Sequence, residues 1–250
     1  MAVMDEFKEE REALKNAGFK KKLSYFIYYY KWHVIAGILV VVGVCSVIYE
    51  VATHKDTAFY AVMLNATQMG EQTEEYNQKF HEFAGIDTNQ HETIFDTSIR
   101  IDNSDASLSD VTVTSTQKLM VYVAAAEIDV MVTDSGSFEK YANSSSFYDL
   151  RTVLNAQQAA AYEPYFYYVD MKTVRELEEA QSNLDDTYVP VFVDPTKPEE
   201  MADPVPVGLY INSKELQDNY YFRGENVVLG IYGNTKHLDT ALKYIDFLMQ

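Results

Sequence analysis

Seven polar and aromatic residues hold the chemistry this chain offers: Asn65, Asp134, Ser135, Tyr141, Asn212, Tyr232 and Asn234. Most follow directly on short apolar runs that have the composition of strands. Small polar residues close nearly every such run: Asn65 and Thr67, Asp102 with Asn103 and Ser104, Thr133 with Asp134 and Ser135, Asp170, Asn212 with Ser213, and Asn234 with Thr235. In open α/β sheets, ligands bind beyond the carboxyl ends of strands, where hydrogen-bonding groups and helix N-termini converge. Capping of the following helices explains many of these residues without any ligand. Capping has less need of the acid at Asp134 or of the nearby rings of Tyr141 and Tyr232. Amides, a carboxylate and a hydroxyl would fix a bound solute, and the rings would cover its apolar or sugar face.

The remaining chemistry is sparse. The chain has no P-loop, no glycine-rich dinucleotide turn, no H-E-x-x-H, no G-x-S-x-G and no C-x-x-C. His33, His54, His81, His91 and His237 are not spaced as metal ligands, and Asp102-Asn-Ser-Asp105 lacks the glycine and closing glutamate of a calcium loop. We therefore expect no metal, no cofactor and no enzymatic activity, since no paired acid and base stand out.

The elements that must position these residues follow from apolar periodicity. Strands are predicted over 58–64, 92–102, 128–132, 165–169, 207–211 and 226–232. Helices are predicted around Met69, Tyr76, Phe80 and Phe83, with Gly85 as a left-handed cap. Further helices are predicted over 116–126, with Leu119, Met120, Val123 and Ala126 inward, over 138–141, 148–162 and 170–184, and from Leu238 to Leu248. Five of the six prolines fall between Pro190 and Pro206, which predicts a rigid, irregular connection. Alternating strands and helices predict an α/β fold, a mixed sheet covered on both faces, over 56–250, as one domain or two small lobes.

One segment decides where that domain lives. Trp32 to Tyr49 is uncharged, and at about 1.5 Å per residue these 18 residues span roughly 27 Å, close to the hydrocarbon thickness of a bilayer. Lys15, Lys20, Lys21, Lys22 and Lys31 precede it, with an aromatic belt of Tyr25, Phe26, Tyr28, Tyr29, Tyr30 and Trp32; only Glu50, Lys55 and Asp56 follow closely. The positive-inside rule puts residues 1–31 in the cytoplasm, a transmembrane helix over 32–52, and the large domain outside the cell membrane. The exit Tyr49-Glu-Val-Ala-Thr53 is a poor cleavage site, so the expectation is an uncleaved anchor in the lipid bilayer. Cys45, the lone cysteine, lies within the span, which leaves the domain without disulfides and fits a bacterial source.

Charge is unevenly divided. Of 20 basic and 38 acidic residues, 7 and 5 lie at or before Lys31, leaving 13 and 33 beyond it. A domain that acidic excludes nucleic acid as a partner.

A resemblance rests on particular words of the sequence. Ala124–Ala142 reads AAAEIDVMVTDSGSFEKYA, followed by SFYDL at 146–150; VGLYINS occupies 207–213, and NTKHLDTALKYIDFL closes the chain at 234–248. Together these resemble bacterial extracytoplasmic solute-binding proteins of the type-2 periplasmic-binding class. The resemblance implies a periplasmic-binding-protein-like fold and an acid near a cleft at the end of the "IDV" strand. It implies binding of a small solute or peptide, delivered to a membrane permease or sensor partner. The chain departs from that family in carrying a membrane helix and too few residues for two generous lobes. A shortened relative of this kind would equally serve as a non-catalytic protein-interaction domain with a degenerate cleft. Its second contact would then be the inner tail, amphipathic through Phe7, Leu14 and Phe19.

Overall fold

The computed structural model describes residues 18–53, 55–102 and 109–250. Phe7, Leu14, Lys15, His54, Asn103, Ser104 and Asp105 lie outside them, and with them most of the proposed inner-tail contact and of the polar turn after Asp102. The chain divides into two units, residues 1–54 and Lys55–Gln250.

Among its described residues the first unit holds the helix α1 (Phe19–Thr53), unbroken through Gly37 and Gly43. The stretch Lys31–Glu50 is long and apolar enough to cross a membrane; its 20 residues correspond to about 30 Å of helix. Its apolar residues point in every direction, and Ile38, Leu39, Val40, Val41 and Val42 are all exposed. A helix apolar all round demands an apolar surrounding. Its length and composition suit a membrane span or a signal sequence.

The second unit is an α/β arrangement around a mixed six-stranded sheet. The strands are β1 (Asp56–Met63), β3 (His91–Asp96), β4 (Val130–Asp134), β5 (Phe166–Asp170), β6 (Pro204–Ile211) and β8 (Val227–Ile231), in the spatial order β3-β1-β4-β8-β6-β5. β1 pairs parallel with β3 and β4, whereas β8 is antiparallel to both β4 and β6, and β5 is antiparallel to β6. A separate antiparallel pair joins β2 (Thr67–Gln68) to β7 (Tyr220–Tyr221).

Strand alternation sorts the core into two layers. Phe59, Ala61, Met63, Val130, Val132, Leu229 and Ile231 face one side. They meet α2 (Gln72–Ala84) through Tyr76 and Phe80, α8 (Lys214–Asn219) through Leu216, and α9 (Leu238–Leu248) through Ala241, Tyr244, Ile245 and Leu248. Tyr60, Val62, Met131 and Val228 face the other side. That side is covered by α3 (Asp110–Ala124) through Leu119, α4 (Ser135–Ala142) through Phe138 and Ala142, and α7 (Met171–Ser182) through Val174. Two short helices, α5 (Leu150–Val153) and α6 (Ala156–Tyr162), complete the order.

Several boundaries differ from the sequence-based expectation, each for a local reason. Met69 lies before α2 and is exposed, because the helix begins only after Gly70, whose φ is +154°. The left-handed cap at Gly85 is present, at φ 70° and ψ 34°. β3 ends at Asp96, not Asp102, because the Asp96 carboxylate takes the Ser98 amide at 2.7 Å and draws the chain off the ladder. The expected 148–162 helix breaks at Leu154-Asn155, where Asn155 caps α6 with a reciprocal bond from Gln158. Met120 points outward at 66% exposure although it was expected inward; Ser115 and Leu119 are the buried residues of α3.

Among the described residues two buried polar atoms lack a partner, Asn219 Oδ1 and the Tyr244 hydroxyl. The Tyr244 ring packs 4.9 Å from both Phe59 and Phe80, but among the described residues its hydroxyl has no hydrogen-bond partner. An unmet buried hydroxyl costs about 1–3 kcal/mol. Tyr244→Phe is therefore expected to raise stability by about 1 kcal/mol, read as a higher urea midpoint with unchanged slope.

Candidate functional site

Strand direction decides which candidates can meet. β6 runs the same way as β1, β3 and β4, since it and β4 are both antiparallel to β8. Asp134 and Ile211 are both level with Val227, which puts Asp134 and Asn212 on the same rim of the sheet. Asn65 follows β1 on that rim too. Tyr232 and Asn234 follow the antiparallel β8 and so lie at the opposite end, where the Tyr232 amide donates to the Asp129 carbonyl at 2.9 Å. Tyr141 belongs with them: Tyr232 is pushed upward in pKa by burial and then by Tyr141, and Tyr141 itself is pushed up to about 12 by burial. The seven residues therefore form no single site.

On the carboxyl rim an open cleft of about 450 Å³ is lined by Asn65, Arg100, Thr112, Asp134, Ser137 and Arg223, among others. The N-terminal ends of α3 and α4 border it. Asn65 is held at φ 60°, a left-handed value that asparagine tolerates better than most residues. Its side chain accepts from the Ile101 amide at 2.8 Å and donates to the Ile101 carbonyl at 3.0 Å and to Ser137 Oγ at 3.1 Å. It clamps the segment after β3 to the end of β1. Asp134 caps α4, with Oδ1 accepting from the Ser137 amide at 3.0 Å. Ser135 closes the adjacent loop through its amide to the Asn226 carbonyl at 2.9 Å and its hydroxyl to the Glu225 carbonyl at 3.3 Å. Asn212 lines a different depression, with Tyr165, Lys214 and Met249. Asn234 caps the far end of α3 through Val123 O at 2.6 Å.

Sequence reasoning passed over the cleft's cations, Arg100 and Arg223. Neither belongs to a motif, and only the folded chain brings residues so far apart in sequence to one wall.

Two further clusters have the ingredients of chemistry. Asp129 is fully buried at the start of β4; it accepts from the Tyr60 amide at 2.8 Å, from Thr235 Oγ1, and lies 3.1 Å from His237 Nδ1. Among the described residues of this unit no hydroxyl partners Nε2 of His237. This acid–histidine pair latches the N-terminus of α9 to β1 and β4. Among the described residues, no three His, Cys, Asp or Glu side chains gather where they could hold a metal ion.

The second cluster centres on Asp96. Burial alone would raise its carboxyl, but bonds from Lys118 Nζ at 2.8 Å, from Ser98 and from Tyr60 Oη at 2.8 Å outweigh it and hold the group to about 2. A folded-state value below the unfolded one stabilises above the unfolded value, near 3.8, and that contribution is lost as pH falls through about 2. Lys118→Met removes the cation that lowers this carboxyl, so its urea midpoint should lie below that of the parent near pH 5, and the gap should narrow as pH falls toward 2.

No family model, no curated protein and no solved structure matches this chain.

Proposed function

We propose that this chain is a membrane-anchored extracytoplasmic binding module of the periplasmic-binding-protein type. It would take a small solute or peptide in the cleft at the carboxyl ends of β1 and β4 and present it to a transport or sensing partner in the membrane. The observation that carries the reading is the coincidence of an open polar cleft with the rim where parallel strands end and helices begin, the position at which α/β sheets bind ligands. The apolar α1, the basic flank before it and the words at 124–150 support the anchored, solute-binding form of that reading.

Thermal denaturation of the full chain in detergent, against sugars, amino acids, short peptides and small organic anions, tests it. A ligand at about 100 times its Kd stabilises by about 2.7 kcal/mol, which moves the midpoint several degrees. A flat response from a folded protein across that panel would remove the solute-binding reading.

A second reading has one observation in its favour. The outward face of α3 exposes Val113, Met120 and Val121 in a domain otherwise rich in acids. An apolar, uncharged helix face of this kind is how a non-catalytic interaction domain engages a neighbour in a membrane complex. Met120→Lys with Val121→Glu would then abolish partner recovery after crosslinking while leaving the melting midpoint unchanged.

A further inference from the structure

Beyond Lys31 the chain has four arginines among 33 acidic residues. Two are paired: Arg151 lies 2.7 Å from Asp149, and Arg175 lies 2.7 Å from Asp203. The other two, Arg100 and Arg223, have no carboxylate within ion-pair distance among the described residues, and the Arg100 guanidinium donates to Thr67 Oγ1 at 3.2 Å. Both unpaired arginines line the same cleft. Two carboxylates share the lining: Asp134, which caps α4, and Asp102, whose amide donates to Thr112 Oγ1 at 3.3 Å. The cleft thus presents two guanidinium groups that, among the described residues, are not ion-paired to the carboxylates beside them, in a domain whose net charge is strongly negative. Hydroxyls of Ser109, Thr112 and Ser137 share the wall. A guanidinium presents a rigid planar fork of donors that matches carboxylate and phosphate oxygens.

From this we infer that the cleft takes a small dianion, a dicarboxylate or a phosphate, held between Arg100 and Arg223. The inference rests on the solute-binding reading above and names its ligand class. Neutral sugars leave both guanidinium groups unanswered. Amines are repelled by them. A monocarboxylate answers only one.

The test is calorimetric titration and thermal shift of the full chain in nonionic detergent with succinate, inorganic phosphate, acetate, alanine, glucose and putrescine. Succinate or phosphate should bind, and whichever binds more tightly identifies the source of the charge. Acetate should bind at least tenfold more weakly, and raising salt from about 50 to 500 mM should weaken the dianion. Arg100→Gln and Arg223→Gln should each weaken it about tenfold or more, the scale of a lost charge-assisted bond. Arg151→Gln makes the same charge change outside the cleft and should leave affinity unaltered. Unliganded melting midpoints verify that each variant folds. Tighter binding of glucose, alanine or putrescine, or dianion binding that survives both cleft variants, overturns the inference while the solute-binding reading stands. Silence from these compounds and from the broader panel of sugars, amino acids and peptides removes that reading and the inference together.

Discussion

Replacing Phe138 with alanine is expected to destabilise the Lys55–Gln250 unit by about 3–5 kcal/mol, the range for a large aromatic removed from a packed core. The ring is fully buried on α4. It stacks 5.0 Å from Phe147 and meets Tyr167 edge-on, also at 5.0 Å. Beneath it the sheet has no side chains. The register that sets Leu209 level with Leu229 brings Gly208 opposite Gly230 one step further along, and a Cβ at either would fall 2.8–2.9 Å from the Phe138 ring. The two glycines make a hollow for one aromatic ring. Gly230→Ala in the parent should therefore cost stability through overpacking, whereas in the Phe138→Ala background the same change fills vacated space and should cost less. A double-mutant cycle from urea unfolding measures that coupling; additive effects would show that the hollow does not specify the ring. Because Phe138 sits one turn from Asp134, Ser135 and Ser137, loss of its anchor should also loosen the cleft wall.

Placing charges at the centre of α1 should have the largest effect on location. Val40→Asp together with Val42→Lys keeps the net charge and the helix length, and each charge at a helix centre costs about 2.5–3.5 kcal/mol of membrane insertion. The pair should move the protein from the carbonate-washed membrane fraction to the soluble fraction or to degradation. A doubly charged chain that stays in the membrane pellet as firmly as the parent would show that α1 is not the anchor.

The legible parts of the sequence were those where one local signal had no rival. The run of apolar residues at 58–64 and the compact Ile-Asp-Val-Met-Val both lie in buried central strands, and the 3.6-residue stripe of Leu238–Leu248 gave α9 its phase. The phase of α3 was ambiguous because its second half, LMVYVA at 119–124, is a continuous apolar run that does not separate Leu119 from Met120. Ile99 and Ile101 imitate a strand; they are buried, but as a stretch clamped by Asn65.

The β6 strand hid a subtler feature. Val205, Val207, Leu209 and Ile211 alternate perfectly, yet the first two face one layer and the last two the other. A register shift against β5 between Tyr167 and Tyr168 inserts one extra residue and reverses the parity. The candidate site was half legible for a related reason. The rule that ligands sit beyond strand ends picked Asn65 and Asp134, but it presumes parallel strands. β8 is antiparallel, which carries Tyr232 and Asn234 to the opposite rim. Nothing in a sequence announces that, among the described residues, Arg151 and Arg175 are paired while Arg100 and Arg223 are not.

The strand order has a kinetic consequence. β8, the last strand in the chain, lies in the middle of the sheet, between β4 and β6. Emerging N-terminus first, the chain forms β3-β1-β4 and β6-β5 as two fragments with open edges, and nothing joins them until Val227–Ile231 arrives. Such long-range closure is slow. A chain threaded through a membrane pore in that order would keep its body unlocked, and still able to pass, until the residues up to Ile231 had crossed.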